Sequence, residues 1–170
     1  IKLATVRAGN VIGGGDWAKD RLIPDFLRAI DAGEKLLIRS PNAVRPWQHV
    51  LEPISGYIYL AEKLVEEGDD YAEAWNFGPE ERDSKAVLWV VRYLSQNNPD
   101  LQWEIDKMIQ PHEANLLLLD SSKAKKKLGW NSKWSLQIAL DKIIEWHQAF
   151  NQKKPMDEIS LSQINSYLQN

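Results

Sequence analysis

Apolar residues recur at helical spacing in five stretches of this chain. Leu22, Ile23, Phe26, Leu27 and Ile30 form the first, and Gly33 follows as a natural left-handed stop. Ile54, Tyr57, Ile58, Ala61, Leu64 and Val65 repeat the pattern up to Gly68. Val87, Leu88, Val91 and Leu94 predict a helix behind a Ser84 cap, and Leu136, Ile138, Leu140, Ile143, Ile144 and Trp146 predict one behind Ser135. Pro155 breaks that helix, and Leu161, Ile164 and Leu168 predict a last one. Residues 2–6, 35–38 and 101–105 read as short strands, and residues 74–78 as a short strand and turn. The apolar run 116–119 predicts a buried strand. Asp120, Ser121 and Ser122 offer caps for a short basic helix that Gly129 stops. Residues 9–21 and 45–50 read as polar–aromatic loops. Short strands alternating with helices predict an α/β fold, with a helix-rich second half forming a smaller mixed lobe beside a parallel sheet.

Composition narrows the function classes. A chain of 170 residues is enough for one domain with a real core. A net charge of −3 gives no electrostatic case for nucleic acid. There is no cysteine, which excludes disulfides, thiolate catalysis and zinc–thiolate sites in these residues and fits a reducing cytoplasm. No apolar run reaches the length of a membrane span, so no membrane partner is expected. The lysines at 123, 125, 126 and 127 read as a solvated helix face. Of the 8 tryptophans most are expected in the core, but Trp17 and Trp47 stand among polar and turn residues. A glycine-rich loop arrives almost at residue 1, with no initiator Met, so the sequence reads as the C-terminal part of a longer protein.

Candidate chemistry clusters in two places. Asn10, Asp16, Trp17, Lys19 and Arg21 surround three consecutive glycines at the end of a strand. Asn donates and accepts hydrogen bonds and Arg clamps a phosphate with two parallel bonds, so this is either a ligand loop or a turn whose charges face water. The glycines do not make the ordered phosphate-binding fingerprint. Arg39, Arg45, Trp47 and His49 form the second cluster, suited to a nucleoside diphosphate unless Arg45 pairs with an acid and Trp47 is core. Asn76 before Phe77-Gly78 and His112 with Glu113 are further candidates, whereas His147 falls in an amphipathic helix and reads as structural. No Ser–His–Asp set, metal-ligand spacing or Walker motif is present. The residues offer binding groups without an evident proton-transfer machine.

The stretches Arg7-Ala8-Gly9-Asn10-Val11-Ile12-Gly13-Gly14-Gly15-Asp16-Trp17, Asp20-Arg21-Leu22-Ile23-Pro24-Asp25 and Arg45-Pro46-Trp47-Gln48-His49-Val50-Leu51-Glu52-Pro53 resemble the extended short-chain dehydrogenase/reductase superfamily. Ala74-Trp75-Asn76-Phe77-Gly78-Pro79, His112-Glu113-Ala114, Leu119-Asp120-Ser121-Ser122-Lys123-Ala124 and Leu128-Gly129-Trp130 support it in the same order, up to about residue 150. The shorter patterns resemble nucleotide-sugar dehydratases and epimerases alike, and the two tryptophan loops single out one dehydratase branch.

The resemblance implies the end of a Rossmann parallel sheet plus the smaller substrate-binding lobe over residues 1–150, with a helical extension over 151–170. It implies NAD as cofactor, a nucleotide-sugar substrate and, for a full-length protein, a cytoplasmic homodimer. It implies an internal redox cycle in which the sugar is oxidised at C4, loses water across C5 and C6 and is reduced at C6. By the same resemblance, Asn10 and Arg45 contact the diphosphate, Arg21 and Leu22 close on diphosphate and nucleotide, and Leu37 and Arg39 flank the base. Asn76 lines the nucleotide pocket, His112 falls near the last contact segment, and Ala8 passes the nicotinamide. The superfamily's catalytic Tyr-x-x-x-Lys pair is expected upstream. Tyr59 and Lys63 match its bare spacing but follow the substrate loop on an amphipathic helix, so no catalytic residue is assigned and these residues alone are expected to be inactive. An epimerase of the same superfamily and a non-catalytic binding remnant are the alternatives.

Overall fold

The computed structural model describes residues 2–96, 98–99, 101–107 and 114–170. Among them run strands β1 (Thr5–Ala8), β2 (Asn10–Ile12), β3 (Leu36–Ile38), β4 (Val44–His49), β5 (Ala74–Phe77), β6 (Ser84–Ala86) and β7 (Trp103–Ile105). The helices are α1 (Leu22–Ala32), α2 (Leu51–Glu66), α3 (Val87–Gln96), α4 (Leu136–Asn151) and α5 (Met156–Gln169). β1 pairs in parallel with β5, β2 in parallel with β4, and β3 in parallel with β7; β6 closes the other edge of β4 in antiparallel register. Only Gly9 separates β1 from β2, yet the two strands enter different sheets.

Two cores result. The larger packs Phe26 and Leu27 of α1, Val90 and Val91 of α3 and Leu136, Leu140 and Ile143 of α4 around Ile12, Ile38 and Trp47. The smaller packs Leu60 of α2 and Trp75 and Phe77 of β5 against Ala124, Leu128 and Trp130. Local signals end the helices as expected. Gly33 is left-handed at φ 64° after α1, and the Ser135 hydroxyl accepts the Ile138 N–H at the start of α4.

Five expectations change. Residues 10–12, read as part of a loop, are strand β2, because they pair in parallel with β4. The first strand begins at Thr5 and not at Lys2. Residues 45–49 are strand β4 and not loop, because both edges of that strand are paired and its polar side chains find partners indoors. Ser84 lies in β6, and α3 starts three residues later without it. Leu116, Leu117 and Leu118 are exposed, and the run meets the sheet through a bridge from Leu116 to Val44, at the end of β4 that β2 does not reach. The short basic helix is a π-helical turn from Ala124 to Leu128, closed by left-handed Gly129. No helix among the described residues is long and apolar enough to cross a membrane.

Helix α2 reaches β5 through Gly56, where a Cβ would stand 2.3 Å from Cδ1 of the fully buried Phe77. Alanine gains about 1 kcal/mol of helix propensity, but overpacking a closed core costs about 3 kcal/mol. Gly56→Ala is therefore expected to lose about 2 kcal/mol, read from urea unfolding.

Candidate functional site

At the carboxyl ends of β2 and β3 the chain leaves a cavity of about 830 Å³. The parallel strands lead side chains to this end, where open α/β sheets hold ligands. Asn10 and Ile12 of β2, Leu37 and Arg39 at the end of β3, Arg45 and Trp47 of β4, and Asp16, Asp20, Arg21 and Leu22 of the loop and first turn of α1 line it. Six of the candidates named from sequence (Asn10, Arg21, Leu22, Leu37, Arg39 and Arg45) thus share one wall-to-wall space.

The arginines of this space are already engaged. Arg21 donates to Asp16 Oδ2 at 3.1 Å, and Arg39 pairs with Asp20 Oδ1 at 3.3 Å and donates to the Asp20 carbonyl at 3.2 Å. Both pairs are exposed enough for an anion to compete with the carboxylates. Arg45 is different. It is buried and donates to the carbonyls of Val44 at 2.9 Å and Ala114 at 2.7 Å. Trp47 is core as well as wall, with its indole N–H on the Lys85 carbonyl at 2.9 Å.

Other candidates lie apart. Asn76 sits on β5, donates to the Asp120 carbonyl at 3.1 Å and does not line the cavity. Ala8, half-buried, ends β1 one residue before the cavity wall at Gly9. His112 and Glu113 fall outside the described residues. His147 is buried against Asp31 at 2.9 Å, and Lys63 is engaged by Glu66 and Glu67 on α2. Sequence reasoning did not single out Ser40 and Val87, which line the cavity, or Arg28, which donates to the carbonyls of Trp17 and Ala18 at 3.1 and 3.2 Å. Nothing local marks Arg28, because its acceptors come within reach only when the loop folds back on α1. No cluster of three metal-ligating side chains exists among the described residues.

His49 does not line the cavity either. Its Nδ1 accepts the Leu51 N–H at 3.3 Å and its ring meets Trp134 edge-on at 4.9 Å. Burial, with Lys142 nearby, lowers its pKa from 6.5 to about 4. The unfolded chain therefore binds this proton first as pH falls, and stability is lost between pH 6.5 and about 4. The loss is expected to total about 3 kcal/mol. Chemical denaturation of wild type against His49→Asn across this window reads it, the variant losing less. The difference is needed because burial raises the pKa of Glu52, whose earlier protonation in the folded state acts in the opposite direction.

The fold matches about half of the fold seen in solved nucleotide-sugar epimerases and dehydratases. It superposes on UDP-glucuronic acid 4-epimerase from Bacillus cereus, solved with UDP-glucuronic acid and NAD, with a TM-score of 0.75 at 18% identity, over 88% of this chain and 46% of that one. It superposes on dTDP-glucose 4,6-dehydratase from Bacillus anthracis, solved with NAD, with a TM-score of 0.67 at 18% identity, over 89% of this chain and 46% of that one. Among curated proteins, the chain is 48% identical over 169 residues to CDP-glucose 4,6-dehydratase of Salmonella typhimurium. That match takes in 99% of this chain and 47% of the relative, so the chain spans about half the relative's length. No protein-family model matches it.

Proposed function

We propose that these residues are the substrate-binding portion of a CDP-glucose 4,6-dehydratase, which converts CDP-glucose to CDP-4-keto-6-deoxyglucose with loss of water. The observation that carries this reading is the cavity with Arg21, Arg39 and Arg45 in its walls, taken with the 48% identity to an enzyme of that name. Its volume suits a small-molecule ligand. Asn10, Arg21 and Arg45 would hold the diphosphate, whose two negative groups match forked guanidinium donors. Leu22, Leu37 and Arg39 would border the nucleoside. Asn76 and His112 are proposed as contacts on the resemblance alone.

Ala8 would be this chain's contact to NAD. A small, half-buried residue closing a parallel strand suits a backbone contact to the flat carboxamide end of a dinucleotide. Bound NAD supplies the hydride acceptor and donor of an internal redox cycle. The chain's own residues bind the nucleotide sugar and orient its ring. The acid–base pair is proposed to lie outside these 170 residues, which alone would not turn over. A cytoplasmic homodimer remains part of the proposal, on the resemblance and the cysteine-free composition.

The test is to incubate the polypeptide as encoded, with any sequence preceding Ile1, with CDP-glucose and weigh the sugar product. Loss of one water without net NAD consumption is expected. An unchanged mass with altered sugar configuration would make it an epimerase, the second reading, which the superposition on the Bacillus cereus enzyme favours. No product and no CDP binding would overturn both.

A further inference from the structure

Asp16, Asp20 and Arg21 of the 13–21 loop line the cavity, but the other side of this loop faces α4. Gly14 lies so close to Trp146 that a Cβ would stand 2.3 Å from Cγ of the indole. Trp17 adds its ring at 5.0 Å from Phe150 and 6.3 Å from Trp146, and those two side chains stack on each other at 5.7 Å and 8°. On α1, Arg28 holds the carbonyls of Trp17 and Ala18. The loop backbone is thus gripped between an aromatic ladder and a guanidinium. Trp146 in turn donates its indole N–H to Ser160 Oγ of α5 at 3.2 Å. His147 and Asn151 meet Asp31 at the end of α1 at 2.9 and 2.8 Å, which fixes α4 against the helix that the loop feeds.

We propose that Trp146 and Phe150 are positioning residues for the nucleotide-sugar cavity, setting the height of the 13–21 loop and with it Asp16 and Arg21, and that α5 acts on substrate affinity through the Ser160–Trp146 bond. The inference rests on the cavity being a nucleotide-sugar site. It gives the triple glycine a different purpose from a phosphate cradle: a side chain at 14 would occupy the place of the indole. Neither Trp146 nor Phe150 lines the cavity, so any effect they have on a ligand passes through the loop. An Arg fork aimed at a diphosphate loses its parallel bonds when its loop shifts by a fraction of an ångström.

The test uses the polypeptide as encoded, with CDP binding by calorimetry and CDP-glucose turnover. Phe150 is exposed enough that Phe150→Ala is expected to fold. Phe150→Ala and Trp146→Leu are expected to raise the Kd for CDP and the KM for CDP-glucose about three- to tenfold, with kcat within about twofold. Trp146→Phe keeps the stack on Phe150 and is expected to recover most of that loss. Ser160→Ala is expected to raise KM about twofold. Leu64→Ala, in the smaller core away from the loop, is expected to lower Tm while leaving both constants unchanged, which separates lost positioning from lost stability. Wild-type CDP affinity and KM in both Phe150→Ala and Trp146→Leu would overturn the proposal. A wild type that binds no CDP would instead overturn the reading of the cavity, and this proposal with it.

Discussion

Glu52→Leu is expected to cost about 3–5 kcal/mol, a large part of the stability of a domain this size. Glu52 is fully buried in the first turn of α2 and joins three segments. Its Oε1 accepts the Trp134 N–H at 2.7 Å, both oxygens accept the Lys133 N–H at 3.1 Å, and Oε2 accepts the Tyr167 hydroxyl at 2.9 Å. Burial raises its pKa, and those donors pull it back. Leucine matches the volume but leaves the buried Trp134 N–H and the part-buried Lys133 N–H without their acceptors, which is the costly kind of loss. Glu52→Gln keeps one acceptor oxygen, and Tyr167 can accept from its amide, so about 1–2 kcal/mol is expected. Urea unfolding of the two variants against wild type reads both values. Equal stability of Glu52→Leu and wild type would mean that water satisfies these donors.

The second large effect falls on binding. Arg45→Ala is expected to weaken CDP binding about a hundredfold, the worth of roughly 2.7 kcal/mol of charge-assisted hydrogen bonding in a desolvated wall. Arg45→Lys keeps the charge but not the fork, and about tenfold is expected. Calorimetry with CDP reads both. Arg45 also donates to the Ala114 carbonyl, so thermal unfolding of each variant is required beside it. A hundredfold loss without a matching fall in Tm would assign the effect to the ligand and not to the Ala114 segment. Unchanged affinity would remove Arg45 from the proposed diphosphate contacts.

The helices were legible because a 3.6-residue period needs only the sequence, and Gly33 and Ser135 act within a turn of themselves. β4 was not legible. Arg45, Trp47, Gln48 and His49 look like loop chemistry, and only the fold brings the Lys85 carbonyl to Trp47 and the Phe77 carbonyl to Gln48. Leu116–Leu118 failed for the opposite reason: an apolar run states a preference for burial but not whether a covering layer exists. At the site, Asn10, Arg21, Leu22, Leu37, Arg39 and Arg45 were picked out by resemblance and lie around one cavity. The same resemblance grouped Asn76 with them, though it sits on β5 in the sheet with β1 and bonds the Asp120 carbonyl. From sequence the glycine triplet is either a ligand loop or a turn with its charges in water; its packing on Trp146 was not legible, because that indole belongs to a helix far along the chain.

The hydroxyl of Tyr167 joins Glu52 and Ser55, while the Lys133 ammonium holds the Tyr167 carbonyl at 3.2 Å. The last turn of α5 is thus wired into the middle of the molecule. A truncation that stops short of Tyr167 would leave the buried carboxylate missing a donor before it disturbed any sheet.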